Sequence, residues 1–170
     1  MPDLHQIVSK QPNSRMCLVC GLENGLGLQA RFYDLDSQQV LALFTPADQH
    51  QGYPGRLHGG IAASLLDELI GRAIRARYGE EVWGVTIELN TRYRQPIPLG
   101  EPIRAIARLT QESRRHFEGT GEILLADGSV AAEATGRYLK RPLASISEFD
   151  FEHQQWRVVP HPLDPERIEI

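Results

Sequence analysis

The chain has 170 residues, 41% hydrophobic and 24% charged, which is enough for one domain with a real core and short for two. Its formal charge of −4 resides in Pro142–Ile170, where six acids face only Arg157 and Arg167; the remainder is near neutral and lacks the cationic surplus of a nucleic-acid binder. No apolar run approaches the roughly 18 residues of a membrane span, and Met1–Lys10 lacks the cationic start and apolar core of a signal peptide, so the expectation is a cytoplasmic protein without membrane or nucleic-acid partners.

In chain order, a short helix is expected over Leu4–Ser9. Cys17 and Cys20 then form a Cys-x-x-Cys pair followed by Gly21. A zinc site needs two further ligands, no second pair exists, and metal would have to recruit distant histidines such as His5 or His50. The reading is a pair of reduced core cysteines, with no metal site. Gly21–Gly27 is turn-like, and its Gly25-x-Gly27 is no phosphate loop because a strand follows it rather than a helix.

Leu28–Leu35 and Gln39–Thr45 read as two strands joined by Asp36-Ser37. Next comes Tyr53-Pro54-Gly55-Arg56-Leu57-His58-Gly59-Gly60, and then a helical pattern. Ile61, Ala62, Leu65, Leu66, Leu69, Ile70, Ala73 and Ile74 recur at helical spacing, Glu68, Arg72 and Arg75 mark a narrow polar arc, and Gly79 ends the run. Two glycines at a helix start expose backbone N–H groups that no intrahelical carbonyl has claimed, where the helix dipole adds positive potential. That is the raw material of an oxyanion hole.

At about 100° per residue, Asp67 shares a stripe with Gly60, Ala63, Gly71 and Ile74. Desolvating a carboxylate there is costly unless donors compensate, or unless the acid reaches the polar arc and pairs with Arg72 or Arg75. Gly59 and Asp67 are eight residues apart, about 12 Å along one helix. Groups acting on one bond must sit about 3 Å from it, so a single helix cannot bring both to the same carbonyl, whereas two antiparallel copies in a twofold dimer can.

Trp83–Arg94, Ile103–Glu112, Phe117–Leu125 and Ser129–Lys140 read as four more strands, with Asp127-Gly128 as a hairpin turn. Two strands, one long helix and four strands with short links imply an α+β fold, in which an antiparallel sheet packs one face against one helix. The domain is placed at residues 1–141, and 142–170 is read as an acidic, proline-containing tail packed loosely over the body or a partner.

Residues 17–141 resemble the hotdog-fold acyl-CoA thioesterases, in the branch with the phenylacetate-degradation thioesterases and the mammalian thioesterase superfamily members. The most specific match is His58-Gly59-Gly60 with an acid nine places after the histidine, Asp67. Others are Asn90-x-x-Tyr93-x-x-Pro96-Ile97-Pro98-Leu99-Gly100, Asp127-Gly128 leading to Ala132-Glu133-Ala134, and Cys17-x-x-Cys20-Gly21 with Gly27-Leu28. The resemblance implies a hotdog fold, with five to six antiparallel strands wrapped around a central helix. It further implies hydrolysis of an acyl-CoA substrate by a homodimer or homotetramer, without a cofactor beyond the coenzyme A of the substrate.

The family pattern assigns the oxyanion-binding N–H to Gly59, the general base or nucleophile to Asp67, and an assisting hydroxyl to Thr86. His58 either hydrogen-bonds backbone at the helix entrance or transfers a proton. Gly60, Arg94, Arg114, Arg115, Lys140 and Arg141 are substrate-binding candidates, the cations for the coenzyme A phosphates. One departure is Gly52, where many members carry Asn or Gln; Gln51 or His50 are the available substitutes. A sparse site suffices because a thioester expels a thiolate, whose conjugate acid has a pKa near 8.5. The competing readings are a hydratase or dehydratase of acyl thioesters and a non-catalytic acyl-CoA-binding protein.

Overall fold

The six segments read as strands, with one helical run among them, build a single antiparallel sheet against a helix. The computed structural model describes residues 3–148 and 150–170. Its strands are β1 (Leu4–Lys10), β2 (Arg31–Leu35), β3 (Val40–Phe44), β4 (Trp83–Tyr93), β5 (Ile103–Glu112), β6 (His116–Leu124), β7 (Val130–Arg141) and β8 (Arg167–Glu169). Between β3 and β4 come α1 (Gly59–Arg72) and the single turn α2 (Arg75–Tyr78), which ends at Gly79 with φ of 57°. The sheet order is β4-β7-β6-β5-β3-β2-β1-β8.

Helix α1 lies across β3, β5, β6, β7 and β4. It buries Ala62, Leu65, Leu66, Leu69 and Ile70 on a floor that includes Phe32, Ala42, Ala105, Ala107, Ala132 and Ala134. Each large aliphatic side chain buried this way contributes about 1.5–3 kcal/mol. Small residues on the sheet let the helix approach closely: a Cβ added at Gly119 would lie 2.7 Å from Ile70 Cγ2 and 2.8 Å from the Arg108 carbonyl.

Two expectations are corrected. Leu4–Lys10 is a strand rather than a helix: it alternates in exposure and pairs antiparallel with both β2 and β8, so strand partners distant in sequence decide its state. The sheet therefore has eight strands rather than five or six, the extra ones being β1 and β8.

Residues 142–170 are bound to the body at several points. Asp164 accepts from Lys10 Nζ at 2.7 Å and Tyr33 Oη at 2.6 Å, β8 extends the sheet, and Ile168 and Ile170 pack on a second core of Tyr33, Leu35, Leu41, Ile106 and Leu124. This attachment is closer than the tail's composition implies. At the opposite edge β4 runs 11 residues with no outer partner among the described residues, and Val85, Ile87 and Tyr93 are exposed along it. No helix among the described residues is long and apolar enough to cross a membrane.

Candidate active site

The helix entrance is built by the residues just before α1. His58 is the N-cap, with φ −65° and ψ 132°, and its Nδ1 accepts from Gly60 N–H at 2.9 Å. The Nδ1 lone pair is thus committed to the backbone, which fixes the neutral ring's proton on Nε2. Tyr93 Oη donates to the Gly59 carbonyl at 2.7 Å and holds that peptide. Gly60 N–H is taken, and the N–H that remains without an acceptor among the described residues is that of Gly59. It points out of the first turn, at the positive end of the helix dipole.

Further along α1, Asp67 is half-buried and its carboxylate meets donors instead of a cation. Thr86 Oγ1 donates to Asp67 Oδ1 at 2.8 Å and Tyr138 Oη to the same oxygen at 3.0 Å; the tyrosine also lies 2.9 Å from the Asp67 carbonyl. Strand register supplies both donors, because Thr86 on β4 sits opposite Tyr138 on β7. Burial, and then the charge of Asp67, pushes the Tyr138 hydroxyl well above the usual tyrosine range, so it stays a proton donor. Its ring stacks on Phe117 at 5.0 Å.

The arginines that could have neutralised Asp67 are engaged elsewhere. Arg72 pairs with Glu68 at 2.8 Å, and Arg75 pairs with Glu80. Arg72 is buried, and although burial works against its charge, Glu68 more than restores it. Asp67 has no ion-pair partner among the described residues, and its second oxygen is left open.

Asp67, Thr86 and Tyr138 line a cleft of about 340 Å³ together with Cys17, Cys20, Glu68, Trp83 and Trp156. Trp156, from the C-terminal segment, packs on Trp83 with ring centroids 5.0 Å apart and donates to Glu80 Oε2. Sequence reading missed both Tyr138 and the tryptophans. Only the β4–β7 register points to Tyr138, and Trp156 lies in a segment without periodicity.

The remaining candidates divide by location. Arg94 makes two hydrogen bonds to Glu133, at 2.7 and 3.0 Å. It follows the end of β4, roughly 35 Å by strand rise from the Trp83 end. Lys140 pairs with Glu112, which also accepts from Arg77 and from Tyr78 Oη at 2.5 Å. Burial opposes the charge on Glu112, but these three donors draw its carboxyl down to about 2. Arg114 and Arg115 are exposed in the β5–β6 turn and have no ion-pair partner among the described residues. A depression of about 760 Å³ gathers Arg114, Lys140, Arg77 and Arg141, and Arg94 is not part of it.

Neither substitute for the absent Asn or Gln is aimed at this site by its hydrogen bonds. The His50 ring is buried, accepting from Ala47 N–H at 2.9 Å and meeting the carbonyls of Leu26 and Gly27. Gln51 bridges to Leu57 through its backbone.

The thioesterase superfamily model matches residues 54–132, which include the helix entrance, Asp67 and Thr86. This segment belongs to the thioesterase superfamily. Its architecture, a long helix against an antiparallel sheet, is the hotdog fold. Acyl-coenzyme A thioesterase THEM4 of Bos taurus is 30% identical over 122 residues, covering 71% of this chain and 49% of that one. A thioesterase superfamily protein of known crystal structure is 34% identical with a TM-score of 0.67, over 73% of this chain and 63% of that one. Zebrafish thioesterase superfamily member 2 gives 25% identity and a TM-score of 0.55, over 59% of this chain and 73% of that one. The chain spans about half the length of the curated THEM4 relatives it matches.

Proposed function

We propose that the chain hydrolyses an acyl-CoA thioester to the free acid and coenzyme A, acting as a homodimer or a homotetramer in the cytoplasm. The observation that carries this reading is Asp67, a half-buried carboxylate on the cleft with two hydroxyl donors on one oxygen and no counter-ion among the described residues. Such a group is oriented without being neutralised, as a base or nucleophile requires. The name of the THEM4 relatives and the superfamily match support the same substrate class.

In the proposed reaction Asp67 takes a proton from water as the oxygen attacks the carbonyl, or attacks it directly to give an anhydride that water opens. The developing oxyanion is met by Gly59 N–H at the start of a helix. Because Gly59 and Asp67 stand about 12 Å apart on α1, the two groups of one site come from different protomers. The long exposed edge of β4 supports this arrangement: pairing it with its copy about a twofold would cover that edge and set the two α1 helices antiparallel. Arg114, Arg115 and Arg141 are the cations offered to the coenzyme A phosphates, whereas Arg94 and Lys140 already hold carboxylates.

The test is a panel of acyl-CoAs with a free-thiol reporter, run on wild type and Asp67→Asn together. The expectation is thiol release that falls at least about a hundredfold in the variant, the scale of losing a general base, with an unchanged circular dichroism spectrum. Equal rates would remove Asp67 from the mechanism. Binding without turnover across the panel would favour the acyl-CoA-binding reading, and a change in double-bond absorbance with crotonyl-CoA would favour the hydratase.

A further inference from the structure

Three ligating side chains outside the Asp67 machinery converge where the N-terminal segment meets α1. The sulfurs of Cys17 and Cys20 and a carboxylate oxygen of Glu68 all lie within 4.8 Å of one another, on the cleft beside Asp67. We propose that Cys17, Cys20 and Glu68 bind a zinc ion, with the fourth coordination position open to that cleft.

The turn carrying the cysteines is already shaped for a ligated sulfur. Backbone N–H groups of Val19 and Cys20 point at Cys17 Sγ at 3.3 and 3.4 Å, donors that stabilise negative charge on it. Gly21 N–H closes the turn onto the Cys17 carbonyl at 2.9 Å, and a Cβ at Gly21 would come within 2.5 Å of Cys17 N, so only glycine permits this turn. Ser14 Oγ lies 3.5 Å from Cys20 Sγ.

Spacing alone offers two ligands; the third comes from the helix. Glu68 Oε2 lies 3.1 Å from Cys17 Sγ, while Oε1 is clamped by Arg72 Nε at 2.9 Å and Nη2 at 2.8 Å. One oxygen is thereby fixed and the other faces the sulfurs, the outer-sphere arrangement that orients ligating carboxylates. Tetrahedral zinc, with bonds of about 2.3 Å to sulfur and 2.1 Å to oxygen, sets its donor atoms about 3.6–3.8 Å apart. Opening the Cys17–Glu68 contact by about 0.5 Å brings that pair to its tetrahedral separation, and the other pairs, which lie within 4.8 Å, need to close by at most about 1 Å to reach theirs. Charge balances as well: two thiolates and a carboxylate against zinc and the buried Arg72 sum to zero.

Two sulfurs and a carboxylate favour zinc over magnesium or calcium, which take oxygen ligands. No histidine joins the cluster among the described residues: His5 contacts Asp36, and the His50 ring is spent on backbone groups. Binding forms two Zn–S bonds and one Zn–O bond and releases two thiol protons to solvent. The ion ties residues 14–21 to α1 one residue from Asp67 and fixes that part of the cleft.

The test uses the full chain, reduced and freed of metal. Added Co²⁺ is expected to give a thiolate-to-cobalt charge-transfer band in the near ultraviolet with the strong visible bands of tetrahedral cobalt, both abolished by stoichiometric Zn²⁺. Cys17→Ser and Cys20→Ser should lose the charge-transfer intensity stepwise, and Glu68→Gln should weaken zinc binding at least about tenfold. If a variant fails to fold, the wild-type cobalt spectrum and zinc uptake measured by mass spectrometry decide. Absence of both overturns the proposal, as does a Cys17–Cys20 disulfide that forms in air equally fast with and without zinc.

Discussion

Replacing the two donors that hold Asp67 tests whether orientation of that carboxylate drives turnover. Thr86 and Tyr138 both donate to Oδ1, at 2.8 and 3.0 Å. A hydrogen bond to a charged group is worth about 1.5–3 kcal/mol, but a base loses its charge as it takes a proton, so donors help turnover mainly by fixing the carboxylate plane. Thr86→Val or Tyr138→Phe leaves one anchor, and each is expected to lower kcat by about three- to fivefold, roughly 0.7–1 kcal/mol. With both removed the carboxylate turns freely and kcat should fall about a hundredfold, which exceeds the product of the single losses and gives a coupling near 1 kcal/mol. The Tyr138→Phe change removes only the hydroxyl and keeps the ring stacked on Phe117, so folding stability should fall by only about 1–2 kcal/mol. The assay is steady-state thiol release on all four proteins, with thermal unfolding in parallel. A folded double variant whose kcat stays within a few-fold of wild type would refute the reasoning.

Glu112 contributes to acid stability with a defined sign. Its folded-state pKa is drawn from 4.5 down to about 2, so its contribution is complete above the unfolded value and is lost as pH falls from 4.5 towards 2. Urea titrations across that window should show wild-type stability declining and Glu112→Gln giving a flatter slope; parallel slopes would contradict the assignment. Gly119→Ala forces a methyl against Ile70 and the Arg108 carbonyl and should cost roughly 1–3 kcal/mol of unfolding free energy. Gly25→Ala, with nothing within 4 Å, should stay within about 0.5 kcal/mol.

The helix and strands β2 to β7 were legible because their signals are local: helical spacing from Ile61 to Ile74, alternation in the C-terminal runs, and Asp127-Gly128 between two of them. β1 was not, because Leu4–Lys10 becomes a strand only through β2 and β8, the latter at the far end of the chain. Asp67 and Thr86 were named from the motif and lie within hydrogen-bonding distance of each other. Tyr138 required the β4–β7 register. The polar arc misled in one respect: Arg72 is buried, because the N-terminal segment and Trp156 close over a helix face that spacing alone leaves to solvent. The cysteines read as a reduced core pair because Glu68, distant in sequence, meets them only in the folded chain.

Complementation between two inactive chains tests the shared site most directly. Gly59→Pro deletes the free N–H at the first helical position, where proline is tolerated, and Asp67→Asn deletes the carboxylate. Each homodimer should be inactive. A purified heterodimer of the two variants contains one site with both groups intact and should recover about half the wild-type rate, or about a quarter in a statistical mixture. Heterodimers that form and remain as inactive as their parents would contradict a site completed by two copies of α1.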